Sequence, residues 1–219
     1  MSILERMRGH EKLRQVWQIA RQRGRIPQVS LFVGPSGVGK RLMAWGLAQQ
    51  ILCEELNSQS EQSQAEFFSH REKNHQSEFA CGVCHSCLRT EQRSSESVLE
   101  IRPESQQIKV DQARQVLDFL HLKGWQKQRI IIIDDIHLMN TQAANSLLKS
   151  IEEPPEDTIF FLLAPAVTSV LPTIRSRAQV FQFGPLSNET LRELRQAPLW
   201  ALSAARGSLE RLESLLDEG

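Results

Sequence analysis

Three short stretches of the chain are apolar at nearly every position: Val29-Ser30-Leu31-Phe32-Val33, Arg129-Ile130-Ile131-Ile132-Ile133 and Phe160-Phe161-Leu162-Leu163. Runs of this length predict strands, and the continuous β-branched run at residues 130–133 is expected to be buried in a parallel sheet. After the first run the period lengthens. Leu42, Ala44, Trp45, Leu47, Ala48 and Leu52 recur at helical spacing and predict a helix. Near the C-terminus Leu191, Leu194, Leu199, Leu202, Leu209, Leu212, Leu215 and Leu216 also recur at helical spacing, and simple core packing accounts for them. Pro198 and Gly207 are expected to separate short helices there. Residues 57–78, rich in Gln, Ser, Glu and His, show no hydrophobic period. Only Phe67, Phe68 and Phe79 could anchor them, which predicts a mobile insertion. Trp17, Trp45, Trp125 and Trp200 are expected in the core or at its edge rather than as a base-stacking platform.

Composition narrows the class without naming a function. A chain of 219 residues, 40% hydrophobic, suits one full α/β domain with a small appendage. No apolar stretch is long enough to span a bilayer, and Met1-Ser2-Ile3-Leu4-Glu5-Arg6 lacks the charged-then-apolar order of a signal peptide, so a cytoplasmic protein with no membrane partner is expected. Lys+Arg and Asp+Glu are equal at 26 each. Any work near DNA would therefore lean on other subunits for most of the electrostatic grip.

The first run leads into Gly34-Pro35-Ser36-Gly37-Val38-Gly39-Lys40-Arg41, which matches the phosphate-binding loop G-x-x-x-x-G-K-[ST] up to its last position. In a working loop, backbone N–H groups wrap the phosphates, the lysine reaches the outer ones and the Ser/Thr hydroxyl ligates Mg²⁺. Arg41 offers a metal no oxygen and places a positive charge where the metal would sit. The strand before and the helix after supply the context the motif needs, against the alternative of an accidental glycine-rich turn. Gly34, Gly37, Gly39 and Lys40 are thus candidate binding residues of a degenerate nucleotide site. ATP and Mg²⁺ are expected to be held weakly or not at all.

The second run ends in Asp134-Asp135, as expected for a buried parallel strand that delivers acids to the carboxyl edge of the sheet. In loop-type ATPases the first acid helps hold Mg²⁺, which makes Asp134 the fifth candidate of the nucleotide site, and the second activates water. Asp135 is one methylene shorter than the usual glutamate, so its reach to a water is altered. Taken alone, the pair also fits a strand ending in a solvated acidic turn.

Four cysteines in a cytosolic chain suggest a metal before disulfides. Cys81, Cys84 and Cys87 form a C-x2-C-x2-C cluster, and Cys53 ends the helix after the loop. Together they make a tetrahedral thiolate set for a structural Zn²⁺, with Gly82 allowing the tight turn between ligands. A ligand swap with His85, His70 or His75, or a set of reduced thiols, stays open.

Past the acids the chain reads Ala143-Ala144-Asn145-Ser146-Leu147-Leu148-Lys149-Ser150-Ile151-Glu152-Glu153-Pro154-Pro155, and later Leu171-Pro172-Thr173-Ile174-Arg175-Ser176-Arg177-Ala178. With the cysteine spacing, Pro103-Glu104 followed by Ile108, and Gly207-Ser208, these segments resemble the clamp-loader branch of the AAA+ ATPases over almost the whole chain. The first is characteristic of the bacterial gamma, tau and delta-prime subunits of DNA polymerase III. The second resembles their S-R-C motif, with Ala178 for the cysteine.

The resemblance implies an AAA+ P-loop three-layer α/β core with a parallel sheet over residues 1–184, a zinc module inserted at about residues 53–87 and a small helical lid at 185–219. Family members continue into a helical collar, which is absent from this chain. Either the chain is truncated or its lineage lacks a collar. Arg177 matches the trans arginine finger that such subunits lend to a neighbouring ATPase subunit, against the alternative of an ordinary surface arginine. The sensor threonine aligns on Ala164, and the lid arginine aligns near Glu210. Lacking the loop hydroxyl and both sensors, the chain fits best a non-hydrolysing delta-prime-type subunit. Its implied partners are the gamma/tau and delta subunits and, through the complex, the sliding clamp and primed DNA. An active gamma/tau-type ATPase and a zinc-stabilised scaffold without a finger are the alternatives.

Overall fold

The computed structural model describes residues 1–58, 79–104, 106–121 and 128–217. In chain order the elements used below are α1 (Ile3–Arg6), α2 (Glu11–Gln22), β1 (Val29–Val33), α3 (Lys40–Leu52), α4 (His85–Glu91), β2 (Val98–Ile101), α5 (Val110–His121), β3 (Arg129–Ile133), α6 (Thr141–Glu152), β4 (Thr158–Ala164), α7 (Pro172–Arg175), β5 (Gln179–Gln182), α8 (Asn188–Leu194), α9 (Leu199–Ala205) and α10 (Leu209–Asp217). The strands form one sheet in the order β2-β3-β4-β1-β5, and β4 pairs in parallel with both β1 and β3. The three apolar runs are therefore the three central strands. Their residues face helices on both sides, which is why they lack a polar alternate position.

The chain divides into two compact units, Met1–Met7 with Leu42–Val98, and Arg8–Arg41 with Leu99–Gly219. In the second, alternate strand residues point to opposite faces. Leu31, Val33, Ile131, Ile133, Phe160 and Leu162 join one core with Ala113 and Val116 of α5 and Ala143, Ala144, Leu147 and Ile151 of α6. The intervening Phe32 and Phe161, with Phe181 of β5, gather around Trp17 of α2 at ring-centroid distances of 5.3 to 6.2 Å. Ile131, Ile132 and Ile133 are each fully enclosed, and burial of this kind stabilises by about 1.5–3 kcal/mol per side chain.

The segment after Pro185 has its own small core of Leu186, Leu191, Ala201, Leu202, Ala205 and Leu212. Pro198 precedes α9, and Gly207, at φ 79°, lies between α9 and α10. The leucine stripe differs from the expected core in part: Leu199 is 68% exposed and Leu194 also faces outward, while the small Ala201 and Ala205 take inner places. Trp200, expected in the core or at its edge, is 59% exposed. Trp17 and Trp45 are buried, and Trp125 lies outside the described residues.

In the first unit, α1 opens with a capping box between Ser2 and Glu5. The buried Gln49 of α3 accepts from the Ile3 amide at 2.8 Å and donates to the Cys87 carbonyl at 3.1 Å, so this polar side chain ties three segments together. Residues 43–52 of α3 are all buried; of the periodic positions only Leu42 is exposed. From Met43 onward the helix is enclosed on every side. Of the expected mobile insertion, Asn57 and Ser58 donate to the Ile51 and Glu55 carbonyls, and Phe67, Phe68, His70 and His75 lie outside the described residues.

Candidate functional site

The glycine-rich loop runs from the carboxyl end of β1 to the first turn of α3, as its sequence context requires. Gly34, Gly37 and Gly39 all lie in it. The Gly34 amide donates to the Ala164 carbonyl at 3.2 Å, anchoring the loop to the end of β4. His10 holds the far side, its Nε2 2.8 Å from the Val38 carbonyl. Lys40 turns back on its own loop and donates to the Gly34 and Pro35 carbonyls, both at 2.7 Å. Burial pushes the Lys40 ammonium below its ordinary pKa, opposed by the charges of Asp134, Asp135 and Glu210.

Arg41 occupies the position of the metal-ligating hydroxyl. Its guanidinium forks onto the carboxylate of Glu100 on β2, Nε to Oε1 at 2.6 Å and Nη2 to Oε2 at 2.9 Å. That bond raises the Arg41 pKa further. Asp134 sits just past β3, with its amide donating to the Ile101 carbonyl at 2.9 Å. Burial raises its pKa first and the neighbouring Asp135 second, while Arg41 and Arg102 act in the opposite direction. Arg102 lies 3.9 Å from the Asp134 carboxylate. Asp135 takes the left-handed conformation, φ 52°, and turns the chain into a short 3-10 segment at Ile136–Leu138. Asp134, Asp135, Arg102, Pro103 and Leu138 line a cleft of about 360 Å³.

These residues test the fit of ATP with Mg²⁺, and the fit is poor. The carboxylate that would hold the metal shares its surroundings with two guanidinium groups, and no hydroxyl stands at position 41. Ala164, expected to stand where the family has its sensor threonine, is a buried methyl at the end of β4. Glu210, expected near the family's lid arginine, accepts a hydrogen bond from the Ser36 hydroxyl in the loop.

Arg177 is exposed, two residues past α7. Its Nη1 donates to the Thr173 carbonyl at 2.9 Å and its Nη2 to Glu152 Oε1 at 2.7 Å. Glu152 is the last residue of α6, whose start is capped by Asn140 accepting from the Ala143 amide. Both ends of that partnership lie in the two conspicuous motifs, yet the sequence alone did not pair them.

The four cysteines converge. One sulfur from each of Cys53, Cys81, Cys84 and Cys87 lies within 4.8 Å of all the others, and Cys81 and Cys87 are 3.9 Å apart. Thiolates about 2.3 Å from a tetrahedral Zn²⁺ stand about 3.8 Å from one another, so the donor set fits such an ion. The amides of Cys81 and Cys84 donate to the sulfurs of Cys53 and Cys81. Gly82, at φ 70°, makes the turn, and a side chain there would collide with the Met1 backbone. A hydrogen bond with Cys87 lowers the Cys53 thiol to a pKa of about 4 and raises that of Cys87. Burial pushes Cys84 up. His85 is exposed beside the cluster, and among the described residues the set is four cysteines.

Sequence reasoning missed Glu100, Arg102 and Glu152. A charged residue near the carboxyl end of a strand such as Val98–Ile101 is the signal that could have found the first. Among the described residues no helix is long and apolar enough to cross a membrane.

Comparison with known proteins places these features in a family. A family model described as "DNA polymerase III, delta subunit" matches residues 62–187, more than half of the chain. The chain is 33% identical to the DNA polymerase III subunit gamma/tau of Mycobacterium tuberculosis, over 85% of this chain and 29% of that protein. It is 31% identical to the DNA polymerase III subunit delta' of Pseudomonas aeruginosa, over 74% of this chain and 44% of that protein. The chain thus spans less than half the length of these relatives. A crystal structure of a gamma subunit-related protein from Thermotoga maritima has a TM-score of 0.56 at 22% identity and covers 93% of this chain and 57% of its own. The RuvB Holliday junction branch migration motor of the same organism has a TM-score of 0.54 at 16% identity, covering 95% and 61%. These likenesses establish the AAA+ fold, and with the family match the chain belongs to the DNA polymerase III delta subunit family, within the clamp-loader branch.

Proposed function

We propose that this chain serves DNA replication as a delta-prime-type subunit of the DNA polymerase III clamp loader. It does not hydrolyse ATP itself and lends Arg177 to the active site of a neighbouring gamma/tau-type subunit. The observation that carries the non-hydrolysing part is the fork of Arg41 on Glu100, a cation tied down where catalysis needs a metal-bound hydroxyl. Arg177 is exposed at the turn after α7, where a partner could receive it. A guanidinium in that position neutralises charge building on the transferring phosphoryl group. Zn²⁺ on Cys53, Cys81, Cys84 and Cys87 staples the first unit and has no open position for chemistry. The sliding clamp and primed DNA are reached through the assembled complex.

The identity to gamma/tau subunits favours one second reading, an active ATPase in which Asp135 is the base and Arg41 is tolerated. Steady-state turnover by the isolated chain, compared with Lys40→Ala, separates the two. The proposal expects equal rates, and turnover abolished by Lys40→Ala would establish the second reading. The finger is tested in a loader reconstituted with wild-type or Arg177→Ala chain at matched incorporation. Unchanged ATPase and clamp loading would leave only a scaffold role.

A further inference from the structure

We infer that the loop of residues 34–41 is clasped by the chain's own lid, with the Glu210 carboxylate held on the Ser36 hydroxyl of the loop, so that the lid stays closed without nucleotide and Glu210 is the residue that turns nucleotide away. Three observations meet at one place. The Ser36 hydroxyl donates to a carboxylate oxygen of Glu210, at the first turn of α10. The Leu209 amide donates to the Gly37 carbonyl at 3.0 Å, a backbone bond from the lid into the loop. Gly37, at φ 70°, is packed so tightly that an added Cβ would lie 2.8 Å from both the Cβ and the amide nitrogen of Glu210, and would also strike the Ser208 hydroxyl. The lid backbone therefore packs directly against the loop at Gly37.

The chemistry is that of a phosphate loop held beside a different anion. Such loops attract negative charge through their amides and their lysine. Here the charge arrives on a side chain already tethered to the fold, at a high effective concentration that a dissolved ligand must exceed. Lys40 acts on the same carboxylate through space, while its hydrogens stay on the Gly34 and Pro35 carbonyls. The lid end is well made: Ser208 accepts from the Arg211 amide at 3.2 Å, and the Leu186 amide donates to the Gly207 carbonyl at 2.9 Å. A nucleotide would have to displace Glu210, break the Leu209 bond and turn Lys40 outward. The inference rests on the non-hydrolysing reading of the site, whereas the role of Arg177 is independent of it.

The test measures binding of ATP and of inorganic pyrophosphate to the full chain by calorimetry, with Mg²⁺ and with EDTA. Wild type is compared with Glu210→Ala and Glu210→Gln, and amide exchange at Leu209 reports the clasp directly. Wild type is expected to protect the Leu209 amide without ligand. Glu210→Ala should bind pyrophosphate at least about tenfold tighter than wild type and lose Leu209 protection by a similar factor. Glu210→Gln keeps the shape but not the charge, and should fall between the two. Protection of Leu212, in the lid core, should be unchanged in both variants, which shows that the lid is still folded. Equal affinity of wild type and Glu210→Ala, or an unprotected Leu209 amide in wild type, overturns the clasp. Either result leaves the non-hydrolysing reading standing as long as turnover equals that of Lys40→Ala; turnover above that control removes the reading itself.

Discussion

The cysteine cluster and the phosphate loop both concentrate chemistry, and they differ in where their counter-charges come from. Around the sulfurs the chain supplies backbone amides and the thiols themselves, with Cys53 and Cys87 sharing a hydrogen bond that drives their pKa values apart. Four thiolates at this spacing need an outside cation. Around the loop, opposite charges come from within the chain: Arg41 meets Glu100, Arg102 lies 3.9 Å from Asp134, and Lys40 feels Asp134, Asp135 and Glu210. Four sulfurs at ligand spacing suit an added cation, whereas the proposed clasp would satisfy the loop from within. The residue types of a motif therefore count for less than whether their electrostatic demands are met from within.

The largest expected effect breaks the comparison on the cysteine side. Structural zinc contributes about 10–16 kcal/mol in small domains, so Cys84→Ser should lose the metal and unfold the unit around it. Elemental analysis of reduced, metal-replete protein should find one zinc per chain, and thermal melts should fall on chelation. Less than about half a zinc in wild type, or an unchanged content in Cys84→Ser, would contradict the site.

Next in size is Arg177. In related phosphoryl-transfer enzymes a trans finger is worth on the order of a thousandfold or more at its own site. Arg177→Ala should therefore nearly silence one site of the reconstituted loader, with partial loss overall, while the free subunit keeps its stability within about 0.5 kcal/mol. Arg177→Lys should rescue poorly, because an ammonium cannot reproduce a two-pronged contact. Full rescue by lysine would reduce the finger to a simple point charge.

Smaller still is the pair at the loop. Arg41→Ala leaves the partly buried Glu100 carboxylate without its fork and should cost about 1 kcal/mol in a denaturant titration, after discounting for solvent access. The double variant Arg41→Ala with Glu100→Gln should recover part of that loss. Additive losses would mean that the two residues are not energetically coupled. The smallest effect expected is on ATP turnover in Lys40→Ala, where the two rates should coincide.

Much of this molecule was legible in its sequence because the relevant physics is local. The three apolar runs could be strands in a two-sided sheet, the glycine spacing could be a loop between strand and helix, and the C-x2-C-x2-C spacing could bring three sulfurs to one turn. The departures at Arg41, Ala164 and Glu210 were also visible as letters. What those letters do was not. Arg41 meets Glu100 across 59 positions, Arg177 meets Glu152 across 25, and Ser36 meets Glu210 across 174. Residues so far apart are brought together only by sheet order and helix packing, which no short-range periodicity encodes. The sequence by itself determined which chemical groups stand at the loop, the strand ends and the cysteine turn. Tertiary structure alone decided which of those groups satisfy one another, because ion pairs and hydrogen bonds depend on distances set by the whole packed core.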